Sequence, residues 1–167
     1  ILVIGAGPSG LSAALAASRT GARVILADED FLMGGRLNAE NSEVGGSAGT
    51  DYAKKVLAEF ASMDNIQIMP RTTIYGAYDH GIYGALERIT DHFPTGDGKP
   101  RQILWRIYTK RAILCTGALE RPIIFSNNDR PGVMLAGAVR TYVNRWGVTP
   151  GKRVAVFTNN DDGWRTA

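Results

Sequence analysis

Ile1-Leu2-Val3-Ile4-Gly5-Ala6-Gly7-Pro8-Ser9-Gly10, continued by Leu11-Ser12-Ala13-Ala14-Leu15-Ala16-Ala17-Ser18, is the stretch on which the fold turns. Its four opening apolar residues read as a strand buried on both faces, as in a parallel sheet covered by other layers. Apolar residues then recur at i, i+3 and i+4, the spacing of a helix with one buried face. Small alanines let such a helix lie close to a sheet. Gly21 is a stop signal, and Arg23-Val24-Ile25-Leu26-Ala27 supplies a second strand. Together they close a βαβ unit of about thirty residues.

The glycines between strand and helix each have a physical use. Gly5 permits the tight turn out of the strand, and Gly10 allows the helix to pack closely. Gly7 has no Cβ, so a diphosphate can approach the backbone. The helix start, through Pro8, Ser9 and Gly10, presents unpaired N–H groups and the positive end of the macrodipole to an anion. G-x-G-x-x-G alone means little; the flanking strand and helix are the context that gives it weight. The competing reading is a structural glycine turn that binds nothing. Asp28 ends the second strand, where a carboxylate can accept hydrogen bonds from both ribose hydroxyls of an adenosine. Glu29 and Asp30 either add charge against a 2′-phosphate or form a solvated turn. The combination points to NAD, with FAD as the alternative, and away from NADP. Both candidates present the same ribose and diphosphate to this loop.

Outward from this unit, residues 31–49 hold five glycines and read as a long loop. A second helix is expected from about Asp51, with Thr50 as N-cap and Tyr52, Val56, Phe60 and Met63 as its core face. Ile66-Gln67-Ile68-Met69 is a short strand ended by Pro70. Alternating segments at 73–78, 82–89 and 102–108 predict an antiparallel meander inserted over about residues 72–110. Residues 93–100 are rich in Pro and Gly and read as a turn. Residues 111–116 return to the parallel-sheet texture. A third helix over 134–146 has Leu135, Val139, Tyr142, Val143 and Trp146 as its apolar face, with Arg145 and Gly147 suiting its end. The expected fold class is α/β, a Rossmann-like dinucleotide-binding domain with a parallel sheet plus a small antiparallel meander, over residues 1–150. Val154-Ala155-Val156-Phe157 reads as a further buried strand, and residues 151–167 as the start of a second, truncated domain. A chain that opens inside a strand without Met reads as a piece of a longer polypeptide.

Composition sets bounds. The 167 residues suit one domain, and 44% hydrophobic content supports a sizeable core. No apolar run reaches the roughly 18 residues of a membrane span. No charged leader precedes an apolar segment, so a cytoplasmic location and no membrane partner are expected. The single cysteine, Cys115, excludes an internal disulfide or a C-x-x-C pair and reads as a buried inert thiol. The net charge of +3 is mild and its cations are scattered, so no nucleic-acid partner is expected. His80 and His92 belong to no metal-ligand cluster, and the serines lack a nucleophile-elbow setting. No catalytic residue and no metal ligand is assigned.

Three later features extend the pattern: Leu32-Met33-Gly34-Gly35-Arg36-Leu37 just after the acidic turn, the meander, and Ala112-Ile113-Leu114-Cys115-Thr116-Gly117-Ala118. Their order resembles the two-dinucleotide-binding-domain flavoproteins. That resemblance implies that Gly35, Arg36 and Leu37 lie near the cofactor diphosphate. It implies that Thr73 and Ile74 belong to the segment whose backbone contacts adenine, and that Thr116 and Gly117 close over the cofactor.

Narrower strings, among them Thr116-Gly117-Ala118-Leu119-Glu120-Arg121-Pro122 and Asn128-Asp129-Arg130-Pro131-Gly132-Val133-Met134, resemble the alpha subunits of heterotetrameric sarcosine oxidases across essentially the whole chain. The resemblance implies an enzyme that oxidatively demethylates sarcosine to glycine, hydrogen peroxide and a folate-bound one-carbon unit. In that family the region present here holds NAD+. The beta subunit carries the FAD at which the amine is oxidised, a covalent FMN sits between the two subunits, and folate chemistry belongs to a C-terminal region. The other subunits of a hetero-oligomeric oxidase are then expected partners. Two alternatives stand beside this: a subunit of an FAD-dependent opine or amine oxidase, and a non-catalytic dinucleotide-binding assembly module. Thr158-Asn159-Asn160-Asp161-Asp162 stands where a second glycine loop would come, which argues against a reductase relaying hydride from NADPH through flavin.

Overall fold

The computed structural model describes residues 1–94 and 98–167. Thr95, Gly96 and Asp97, the centre of the turn expected over 93–100, lie outside the described residues.

The opening stretch folds as β1 (Leu2–Ile4), α1 (Pro8–Arg19) and β2 (Val24–Ala27). The long glycine-bearing loop is more structured than its composition suggested. It contains a single 3-10 turn, Gly35–Asn38, and a hairpin of β3 (Glu43–Val44) and β4 (Ser47–Ala48). Gly45 and Gly46 join the hairpin with φ of 59° and 77°, the paired positive angles that a two-residue turn demands. Next comes α2 (Gly49–Phe60), which starts one residue before the expected cap: Ala48 is the N-cap residue and Thr50 lies inside the helix. β5 (Ile66–Met69) follows, then the meander of β6 (Thr72–Tyr78), β7 (Ile82–Arg88) and β8 (Gln102–Tyr108). β9 (Ala112–Leu114) returns to the first sheet, and α3 (Ala136–Trp146) ends on the left-handed Gly147, with φ of 64°.

β1 is the hub. It pairs in parallel with β2 on one side and β9 on the other, and β2 carries β5, giving the order β5-β2-β1-β9. Because side chains alternate across a strand, each of these short strands feeds two cores. Val3, Val24 and Leu26 pack with Leu11 and Ala14 of α1 and with Val56 and Phe60 of α2. Leu2 and Ala27 face the other way, onto Met69, Ala85 and Ile107. The result is three layers: helices, parallel sheet, antiparallel meander. Tyr52 and Met63 pack at the edge of the first core, as the α2 spacing predicted.

Three expectations for the last third of the chain are corrected. The buried residue of α3 is Arg140, whereas Leu135, Tyr142, Val143 and Trp146 are between 38% and 54% exposed. The apolar stripe exists, but among the described residues it is only partly covered, at Trp146 by the Phe31 ring. Residues 154–157 form no strand: Val154 is 55% and Phe157 70% exposed, and the Phe157 ring meets that of Phe125 edge-on. Cys115 is half-buried, not fully enclosed.

Candidate dinucleotide site

The site begins where β1 ends. Gly5 has φ of 97°, and a Cβ there would stand 2.3 Å from the Cys115 carbonyl oxygen. A Cβ on Gly10 would lie 1.8 Å from the Gly5 carbonyl oxygen. Both glycines are therefore required by the chain itself. Gly7 differs. Its φ of −68° and ψ of −176° suit any residue, and a Cβ on it would meet nothing within 4 Å. No protein packing explains a glycine at this position; the space beside it is open.

α1 opens onto the same space. Gly7 is its N-cap, Pro8 occupies the first turn, no side chain caps it and no acidic residue lies in that turn. The first backbone bond of the helix runs from the Leu11 N–H to the Gly7 carbonyl, at 2.9 Å. The earlier N–H groups of Ser9 and Gly10 thus precede the intrahelical ladder, as anion-holding donors do.

Asp28 stands at the end of β2 and ties the loop down. Its Oδ2 accepts the Ala6 N–H at 2.5 Å, and its Oδ1 accepts the Asp30 N–H at 2.8 Å. Each carboxylate oxygen keeps a second lone pair, so ribose hydroxyls remain acceptable partners. The Gly34-Gly35 pair reaches the loop from the other side. The Gly34 N–H donates to the Ala6 carbonyl at 2.9 Å, and a Cβ on Gly35 would come within 2.9 Å of Gly7 Cα. With φ of 130° and 53°, this close approach belongs to glycine.

The remaining expected positions separate. Thr116 and Gly117 leave β9 beside Gly5, exposed, and the Thr116 Cα would lie 3.2 Å from a Gly5 Cβ. Thr73 and Ile74 follow Thr72, whose N–H donates to the Asp28 carbonyl at 2.7 Å; the Ile74 side chain packs in the second core. Leu37 is 4% exposed and belongs to the first core. Arg36 is engaged by Glu40 and lies 3.6 Å from Asp162. Glu29 is exposed, and its backbone carbonyl accepts from Arg88. Asp30 is held in a two-pronged pair by Arg145, at 2.6 and 2.9 Å. That hydrogen bonding outweighs partial burial and keeps the Asp30 carboxyl below its ordinary range.

One charged cluster had no sequence signature. The Arg140 side chain, 5% exposed, lies 2.8 Å from Asp162 and 3.5 Å from both Glu40 and Glu120. Burial works against its charge, and the surrounding carboxylates, Asp162 foremost, more than offset that. Glu120 also accepts the Gly137 N–H at 2.8 and 3.1 Å and so caps α3 from a remote loop. Its partners stand 17 and 20 residues away in sequence, beyond any local spacing rule. A groove of about 680 Å³ runs beside it, lined in part by Phe125, Leu135, Val139 and Phe157. Among the described residues no group of three or more His, Cys, Asp or Glu could hold a metal, and no helix is long and apolar enough to cross a membrane.

Residues 1–62 match the family described as FAD dependent oxidoreductase. The L-proline dehydrogenase crystal structure from P. horikoshii superposes with a TM-score of 0.77 at 26% identity, covering 98% of this chain and 31% of that one. The fold is therefore Rossmann-like, a parallel sheet joined by an antiparallel meander, as in that structure. The alpha subunit of sarcosine oxidase from Rhizobium meliloti (strain 1021) is 51% identical over 168 residues, 100% of this chain. The A subunit of opine oxidase from Agrobacterium tumefaciens (strain Ach5) is 32% identical over 163 residues, 94% of this chain. The chain is homologous over its full length to a segment of the sarcosine oxidase alpha subunits. It spans 17% of the first of these relatives and 31% of the second.

Proposed function

We propose that the ligand of this chain is NAD+ and that the chain is the dinucleotide-holding part of a sarcosine oxidase alpha subunit. The observation that carries the proposal is the Gly7 cradle, a glycine that no conformation or packing within the chain requires. Gly5, Gly7, Pro8, Ser9 and Gly10 supply the diphosphate end, with Gly35 against Gly7 and Thr116 and Gly117 at the rim. Asp28 supplies the ribose end and disfavours a 2′-phosphate. A bound dinucleotide supplies two-electron redox chemistry; the residues of this chain bind and orient it. Within the assembled enzyme, sarcosine is demethylated to glycine, hydrogen peroxide and a folate-bound one-carbon unit, at centres carried by other regions and by the other subunits. These other subunits are the partners, and the location is cytoplasmic. The identity to the sarcosine oxidase relative from Rhizobium meliloti supports this reading.

A second reading has its own support. The match to an FAD dependent oxidoreductase family and the likeness to the opine oxidase relative favour FAD held for an amine or opine oxidase. Absorbance and ligand selectivity separate the two. The purified protein is expected to be colourless and to bind NAD+ in preference to NADP+, a preference that Asp28→Ala weakens. A yellow protein with a flavin spectrum sinks the NAD+ assignment, and tight NADP+ binding without NAD+ binding sinks the role of Asp28.

A further inference from the structure

Helix α3 runs along the segment that carries Gly34 and Gly35 and grips it at four points. Arg140 lies 3.5 Å from Glu40, and Asn144 donates to the Ala39 carbonyl at 2.9 Å. Arg145 forks onto Asp30, and the Trp146 ring packs against Phe31 with centroids 6.4 Å apart. The Arg145 guanidinium also lies over both rings, 5.0 Å from the Phe31 centroid and 4.7 Å from that of Trp146. On its far side the same segment touches the glycine loop, through Gly34 N–H to Ala6 and Gly35 against Gly7. A continuous path of contacts thus joins α3 to the diphosphate cradle.

We infer that α3 is a strap holding residues 30–40 against the glycine loop, that the Arg145–Asp30 pair is its chief fastener, and that Arg145 is a positioning residue for the bound dinucleotide. The inference rests on the proposed reading of the glycine loop as the diphosphate site. Arg145 suits the task better than Arg140. Arg140 divides its charge among three carboxylates, whereas Arg145 spends both fork nitrogens on Asp30. A planar fork fixes orientation as well as distance, and it stacks on aromatic faces as an ammonium does not. The Arg145 and Asp30 side chains are only 14% and 26% exposed, so water screens the pair weakly. When the strap is fastened, Gly35 is already seated when the ligand arrives. When it is loose, binding must also order the segment, and affinity falls by that cost. Asp30 serves the site through α3 in this arrangement, and the ribose falls to Asp28.

A double-mutant cycle with two readouts tests the strap. Arg145→Met, Asp30→Asn and the double variant are compared by titration with NAD+ and FAD and by hydrogen exchange at the Gly34 amide. The expected result is a rise in Kd of about tenfold for each single variant, with the double no weaker than either, because both remove one interaction. Gly34 exchange, slow through its bond to Ala6, speeds up in all three; Arg145→Lys restores little of either signal. Unchanged Gly34 exchange in Arg145→Met overturns the strap, with or without ligand. So does faster exchange with an unchanged Kd, which marks a purely structural pair. A wild-type protein that binds no dinucleotide overturns the proposed function instead, and the exchange readout still decides on the strap.

Discussion

Helices α1 and α2 lie on the parallel sheet through Leu11, Ala14, Val56 and Phe60, all nearly or wholly buried. α3 is attached differently: it buries an arginine, leaves its aromatic residues half-exposed, and meets the rest of the chain chiefly through carboxylates. Apolar burial is non-directional and scales with area. Ion-pair docking is directional, depends on each partner keeping its charge, and weakens when water or salt reaches it. The first kind of attachment builds the scaffold behind the glycine loop. The second fastens a removable element over its flank.

The difference can be broken from either end. Phe60→Ala should cost about 3–5 kcal/mol, since it empties the centre of the first core. A thermal melt measures it, and loss of the whole cooperative transition is expected. Arg140→Ala should cost less, about 2–3 kcal/mol: a broken buried pair is worth more, but its carboxylate partners here are partly exposed. Its signature is release of α3 and of the 3-10 turn Asp161–Arg165 that carries Asp162, seen as faster hydrogen exchange there with α1 and α2 unchanged.

Acid sharpens the same contrast. Asp30 and Asp162 are held below their ordinary carboxyl values, chiefly by hydrogen bonds from Arg145 and Arg140. A depressed folded value means that their contribution is complete above the unfolded value, about 3.9 for Asp. It is lost as pH falls below that and through the folded values. α3 should therefore detach below about pH 4, reported by the fluorescence of Trp146 in a Trp105→Phe, Trp164→Phe background, before far-UV circular dichroism shows loss of α1 and α2. Simultaneous loss of both signals would contradict separate attachment. The smallest effect is expected from salt: near 1 M, where the screening length is about 3 Å, Trp146 emission should shift slightly while the Phe60-centred core keeps its exchange protection.

The scaffold was legible in the sequence because its physics is local and periodic. Strands buried on both faces, helical spacing in α2 and the alternating meander each leave a pattern that no distant residue modifies. Gly5, Gly7 and Gly10 were legible as a group, yet only the structure separates the two the chain needs from the one it does not. α3 misled for the converse reason. Leu135, Val139, Tyr142, Val143 and Trp146 have the spacing of a core stripe, and spacing does not say whether a covering surface is present. Arg140 looked like one more scattered cation, because Glu40, Glu120 and Asp162 converge on it from three separate segments. Asp30 read as part of a solvated turn, with a charge against a 2′-phosphate as the alternative; its partner, 115 residues on, decided otherwise.

Under the proposed function, Gly7 is a glycine for the sake of a dinucleotide diphosphate. Titration calorimetry of wild type and Gly7→Ala with NAD+ and FAD, paired with their melting curves, tests it most directly. A Cβ at Gly7 touches no protein atom, so stability should change by less than about 1 kcal/mol, the scale of an N-cap substitution. Dinucleotide affinity should fall at least about tenfold, because the backbone can no longer be approached closely. Equal affinity in wild type and variant, or no binding of either dinucleotide by wild type, would contradict the account.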